Sequence, residues 1–250
     1  MTQVTIPSHF HRPPGSGNGG YTCGVAAAAL GRGPAQVRLR VPPPLDRPLT
    51  VERRGDATVL LDGDVVVAEA RPALLDVTPP EPVGFAAAVE ARERFDVEEY
   101  ETRHAFPTCF TCGPRRPPGE GLHFVPAAIV DRPGLAVSPW VPDGAHAEAG
   151  GRIPDEIVWA ALDCPSGLAW IALDTETGPA VLGQLAVSIR RSPVVGERLV
   201  LGGWQVRADG RKRYAGSAVW GADGEVLAVG EATWIVLAGD QAARFDARGQ

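Results

Sequence analysis

The chain of 250 residues carries 24 basic and 30 acidic side chains, a formal charge of −6, with 44% apolar and 22% charged residues. That balance supplies the core of one large domain or two small ones and excludes a charge-driven disordered chain. The cations are dispersed, which argues against nucleic acid as a partner, while 30 glycines and 24 prolines point to many turns and short elements.

Residues 1–20 show no charged-then-apolar leader, and no run of about 18 apolar residues follows, so a cytoplasmic protein without a membrane partner is expected. His9 and His11 flank Phe10 and read as a solvated terminal strand. Asn18-Gly19-Gly20 then opens an Ala-rich run, residues 21–30, read as a helix. An alternating segment at 36–41, a proline turn and a hairpin pivoting on Asp62-Gly63 complete a first zone, residues 1–78. Residues 79–120, rich in Pro, Glu and Arg, read as a linker holding one amphipathic helix at 83–99, with Phe85, Val89 and Phe95 on a shared face.

Residues 121–240 repeat the first zone: a helical run at 155–173, an alternating segment at 183–190, and a hairpin on Asp223-Gly224. Their strands are expected at 181–190, 198–206, 212–222 and 226–236, with a tail at 241–250. Helix first, then enough antiparallel strand to cover it, twice over, describes an α+β fold of two sheets, each around a central helix.

Several residues invite chemistry. Asp163 lies one helical turn from Trp159 and about two from Trp170, so it would share a stripe with two indoles. A carboxylate in such surroundings serves as general base toward water or as nucleophile; the alternative is a helix break at Pro165, with Asp163 capping the turn that follows. Asn18, Gly19 and Gly20 at a helix entrance offer unobstructed N–H groups and a positive helix end for a developing oxyanion, or simply a cap and a permissive loop. Cys109-Phe110-Thr111-Cys112-Gly113 has the turn that aims two thiolates at one metal, which is half a tetrahedral site. His104, His123 or a second chain could complete it, and the expectation is two adjacent thiols near the junction of the halves without a stoichiometric metal. Trp140, beside two prolines, is a candidate wall for an apolar pocket. Arg115-Arg116 and Arg211-Lys212-Arg213 suit phosphates or plain solvent.

Asn18-Gly19-Gly20-Tyr21 ahead of the Ala-rich helix, then Arg40-Val41-Pro42 and the Asp-Gly hairpin, resembles the N-terminal half of the double-hotdog acyl-CoA thioesterases. The second zone resembles their C-terminal hotdog. The resemblance implies two hotdogs with sheets joined, an active site between them, no cofactor, and acyl-CoA or carrier-bound thioesters as substrates, with pairing into homodimers. It places the family's catalytic acid at Asp163; on that fold the residues themselves put Asn18, Gly19 and Gly20 at the oxyanion and Trp159 and Trp140 on the substrate side, with Tyr21 beside them, suited to packing rather than reaction. The family's hydroxyl and amide positions fall on Leu182 and Ala232, which carry neither group. Gln184 and Thr233, close by in sequence, are the substitutes a small register slip would supply. The missing groups keep a second reading open, a non-catalytic binder of acyl-CoA or another hydrophobic small molecule. A hydratase reading lacks a His–Asp pair on the helix.

Overall fold

The computed structural model describes residues 2–12, 15–31, 33–171 and 179–239. The end of the expected helix at 172–173 and the tail at 241–250 lie outside them. The strands are β1 (Gln3–Thr5), β2 (Ala35–Leu39), β3 (Pro48–Arg54), β4 (Ala57–Asp62), β5 (Val65–Pro72), β6 (Ala127–Ile129), β7 (Arg132–Trp140), β8 (Ala180–Ile189), β9 (Leu199–Asp209), β10 (Lys212–Gly221) and β11 (Val226–Val236). The helices are α1 (Gly19–Leu30), α2 (Phe85–Glu93), α3 (Val97–Arg103) and α4 (Asp155–Ile171).

The expected two sheets are one. Eleven strands run in the order β1-β3-β4-β5-β2-β8-β11-β10-β9-β7-β6, with every pairing antiparallel. The join is β2 against β8, where Val37 faces Leu185 and Arg38 faces Gln184. On either side of that join the order repeats: β2, β5, β4, β3, β1 outward in one direction, β8, β11, β10, β9, β7 in the other. Closing the free edges of both halves against each other satisfies backbone groups that two separate sheets would leave as edges.

α1 packs on β2, β4 and β5, and α4 on β7 through β11. The two helices also pack on each other, because α1 presents glycine where they touch. A Cβ on Gly20 would stand 2.6 Å from the Trp159 carbonyl oxygen and 2.5 Å from Asp163 Cβ, and one on Gly24 would stand 2.6 Å from Glu156 Cα. As the chain runs from 20 to 24 its partners run from 163 to 156, so the helices are antiparallel.

α4 continues through Pro165, so the expected alternative of a helix break is corrected. Proline removes one N–H from the ladder and crowds the preceding turn. The carbonyls of that turn find hydroxyl donors: Thr111 Oγ1 and Ser217 Oγ donate to Ala160 O and Leu162 O from outside the helix, at 3.0 and 2.7 Å, and Ser166 Oγ within it donates to Asp163 O at 2.6 Å. β9 comes against this turn at Gly203, where a Cβ would lie 1.9 Å from Pro165 O.

Other expectations need correction. The single helix at 83–99 is two, since Asp96 caps a new helix by accepting the Glu99 N–H at 2.8 Å. β1, β3, β6 and β7 were not foreseen; β7 contains Pro133 and Pro139, and β1 and β6 are three residues each. The terminal histidines do not form a solvated strand. Residues 8–10 make a 3-10 turn, and Phe10 stacks on Tyr21 at 3.8 Å and sits edge-on to Phe110 at 4.9 Å. Residues 79–120 are built into the body. α2 packs on β6, β7 and β9, and its Ala88 and Ala91, with Val83 just before it, share a buried cluster with Leu135 and Val137 of β7 and Trp220 of β10, while Cys109, Phe110 and Cys112 are buried in the main core with α1 and α4.

Candidate active site

Asp163 is the ninth residue of α4 and is 0% exposed. Its Oδ2 accepts the backbone N–H of Gly20 at 2.9 Å, so a carboxylate from the second half closes the N-terminal end of α1 in the first half. Asn18, also 0% exposed, caps the same helix, with its Oδ1 accepting the Tyr21 N–H at 2.8 Å. Charge and helix polarity agree here, since the α1 N-terminus carries orphan N–H groups and a partial positive charge. The other carboxylate oxygen, Oδ1, is buried without a hydrogen-bond partner among the described residues. Burial pushes the Asp163 carboxyl up to about 6, against the opposing pulls of Arg12 and the Gly20 N–H.

Three neighbours were not legible as site residues. Arg12 crosses from the N-terminal segment, donates to Ala180 O at 3.1 Å, and lies 4.8 Å from the ring centres of both Phe106 and Trp234. Thr111 accepts from Asn18 Nδ2 at 3.3 Å while donating to α4. Cys164 follows Asp163 and lies with its sulfur 3.7 Å from that of Cys109. Their signal in the sequence is faint, because a lone arginine before a proline pair, a threonine in a cysteine turn and a cysteine in an apolar helix each have ordinary explanations.

The Cys109-Cys112 pair is adjacent, as expected, but its nearest potential ligand partner is Cys164 and not a histidine. Burial opposes ionisation of Cys109, yet hydrogen bonds from Cys112 and Cys164 and the charge of Arg12 outweigh it and hold its pKa well below the ordinary thiol value. His104 Nδ1 accepts the Phe106 N–H at 2.9 Å, and burial lowers its pKa to about 4. His123 Nε2 pairs with Pro117 O at 3.2 Å on the exposed side.

A scan against protein-family models finds no match, and no curated protein matches the sequence. Solved structures do match. The tesB protein of Mycobacterium avium subsp. paratuberculosis aligns at 13% identity over 88% of this chain and 87% of its own, with a TM-score of 0.53. A Thermobifida fusca protein provisionally named a thioesterase II aligns at 14% identity over 94% and 92%, with a TM-score of 0.57. A protein of unknown function with a hot dog fold from Alicyclobacillus acidocaldarius gives 14%, 94%, 92% and 0.54.

The chain has the hotdog fold. Within this hotdog chain the remaining candidates are scattered. Gln184 faces Thr233 across β8 and β11, but both are only half-buried, and Gln184 Oε1 accepts from Arg38 on the exposed side at 3.1 Å. Their neighbours Leu182 and Trp234 are the buried pair of that register, and Leu182 packs at Gly19. A register shift between Thr233 and Trp234 leaves Gly183 as an extra residue in β8, so Leu182 and Trp234 take the buried face while Gln184 and Thr233 fall on the other. Tyr21 stacks on Phe10, and burial, with the charge of Glu156, pushes its hydroxyl up to about 12. Trp159 is buried with its Cβ against Gly24. Trp140 lines a cavity of 310 Å³ with Arg92, Leu122, His146, Ile153 and Ile157. Asp163 is not among the residues lining that cavity. No helix among the described residues is long and apolar enough to cross a membrane.

Proposed function

We propose that this hotdog chain hydrolyses an acyl thioester, presented on coenzyme A or a carrier protein, with Asp163 as the catalytic carboxylate. One observation carries the reading: Asp163 of α4 and Gly20 of α1, 143 positions apart, meet at 2.9 Å across the contact between the halves. A helix N-terminus there offers the N–H groups a tetrahedral oxyanion needs, and a carboxylate beside it is placed to take a proton from water. In the reaction the thioester oxygen takes over the Gly20 N–H that Asp163 holds in the resting site. Asp163 removes a proton from water as the water oxygen adds to the carbonyl carbon. Collapse of the intermediate breaks the C–S bond, and the proton returns to the departing sulfur. In this reading residues 1–78 and 121–240 are the two hotdog units, each with its central helix, and residues 79–120 pack the second unit and close over the site. A homodimer of the whole chain is the assembly proposed, with light scattering as its test.

A second reading, a non-catalytic binder of acyl-CoA or a hydrophobic small molecule, is favoured by a different observation. Asp163 is fully buried and the 310 Å³ cavity lies elsewhere, along Trp140 and the first turns of α4. The deciding experiment is a panel of acyl-CoA and carrier-bound thioesters given to purified wild type and Asp163→Asn, with mass spectrometry of co-purified ligands. Turnover that falls by about 10²-fold in the variant supports the hydrolase. Binding without turnover in the wild type replaces it with the binder.

A further inference from the structure

We propose that Cys109, Cys112 and Cys164 form a metal site for Zn²⁺ that ties the loop after α3 to α4. The three sulfurs lie within 4.8 Å of one another and all three residues are buried. All are free thiols. A zinc ion bonds thiolate at about 2.3 Å, so tetrahedral ligands stand about 3.8 Å apart. Cys109 and Cys164 are already at 3.7 Å, which is far outside a disulfide bond and matches two corners of such a tetrahedron.

The loop is built to aim its sulfurs. Gly113 donates its N–H to Cys109 O at 2.8 Å, and a Cβ on Gly113 would lie 2.5 Å from Cys109 N and O, so the turn closes only on glycine. The Cys112 backbone N–H points to the Cys109 sulfur, and Asn18 Nδ2 approaches it at 4.0 Å. These contacts suit an anionic sulfur that accepts hydrogen bonds while bound to a metal.

Charge supports the same assignment. Three thiolates and one divalent cation leave one negative charge, and the buried Arg12 guanidinium, which acts electrostatically on all three cysteines, is a cation whose Nε has no partner among the described residues. Asp163, a buried carboxylate whose charge also acts on Arg12, is held by the Gly20 N–H. The fourth position is left to a water or another exogenous ligand. His104 does not supply it as placed, because its Nδ1 is engaged by the Phe106 N–H and the neutral ring then carries its proton on Nε2. This replaces the expectation of a metal-free pair, which had only half of a tetrahedral site in view. The inference does not depend on the catalytic reading of Asp163.

The test uses the full chain purified with reductant and without chelator. Elemental analysis is expected to give about one zinc per chain, and Co²⁺ exchange to give thiolate-to-cobalt charge transfer with the strong visible bands of a tetrahedral ion. Cys112→Ser and Cys164→Ser, with folding checked by circular dichroism, should each lose most of the metal and weaken the charge-transfer band. Cys23→Ser, which alters the one cysteine outside the cluster, should keep both. Folded wild type with under about a tenth of a metal per chain and no cobalt band overturns the proposal, as does a disulfide within the trio in the reduced preparation. Equal loss of metal in Cys23→Ser overturns it too. Because the cobalt spectrum is read on the wild type, a variant that fails to fold does not decide the outcome.

Discussion

α1 and α4 occupy the same place in a repeated strand order, and each packs on the strands of its own half. Their chemistry differs. α1 has 12 residues, no acidic side chain, and glycines at the contact with its partner helix. α4 has 17 residues and carries Asp163, Cys164 and Pro165 in succession at its centre. The repeat alone would give two symmetric meeting points, helix end against helix middle. They differ: at Gly20, α1 brings backbone N–H and α4 the carboxylate that accepts it, whereas at Gly24 the backbone of α4 at Glu156 packs directly on α1. The repeat supplies the scaffold, and the different residues that α1 and α4 bring to their contact give it a single candidate site at Gly20 and Asp163.

The largest effect expected from disturbing this pair is on folding. Gly20→Val places side-chain carbon inside the van der Waals distance of the Trp159 carbonyl and Asp163 Cβ, so α1 must move off α4. Denaturant unfolding should show a loss of about 3 kcal/mol or more, or no soluble protein. An unchanged midpoint would mean that the helices do not meet as described. Next is Asp163→Asn, which keeps an acceptor for the Gly20 N–H while removing the base. Its thermal midpoint should stay close to wild type as hydrolysis falls by about 10²-fold, so a parallel loss of both would assign Asp163 to structure alone.

A smaller effect belongs to the cavity beside the first turns of α4. Ile157→Phe narrows it without touching the Asp163 contact, and calorimetry with an acyl ligand should show about tenfold weaker binding, since such sites discriminate through apolar fit. Unaltered affinity would place the acyl group elsewhere. The smallest effect is pH dependence at the N-terminal turn. Burial lowers the pKa of His9, with the charge of Arg116 adding to it, and burial lowers that of His146, with the charges of His9 and Arg116 adding to it; the two rings are 5.1 Å apart. Both therefore bind protons more weakly folded than unfolded. Their contribution to stability is present at neutral pH and is lost as pH falls through 6.5, where the unfolded chain takes up protons. His146→Gln should flatten that part of the stability profile, and an identical slope would show that other groups set it.

Asn18, Gly20 and Asp163 were recognisable as candidates because residue type and local position carry their chemistry: a cap residue, unshielded N–H groups, and an acid on an apolar helix. The strands of the second half were likewise recognisable from alternation and turn residues. Two short strands and one containing two prolines escaped because their pairing comes from neighbours rather than from their own pattern. The polar substitutes Gln184 and Thr233 failed for a related reason, since a side chain's face depends on sheet register, and one residue's shift reverses it.

The sequence by itself determined the α+β class, the repeat, and the residue kinds available for acid–base or thiolate chemistry, because these follow from local periodicity and intrinsic reactivity. Tertiary structure decided that the two sheets are one, that α4 runs through Pro165, and that Arg12, Cys109 and Cys164 converge beside Asp163. Those outcomes depend on contacts between residues as far as 168 positions apart, whose geometry is set by how the halves join and pack, and no local pattern encodes such distances.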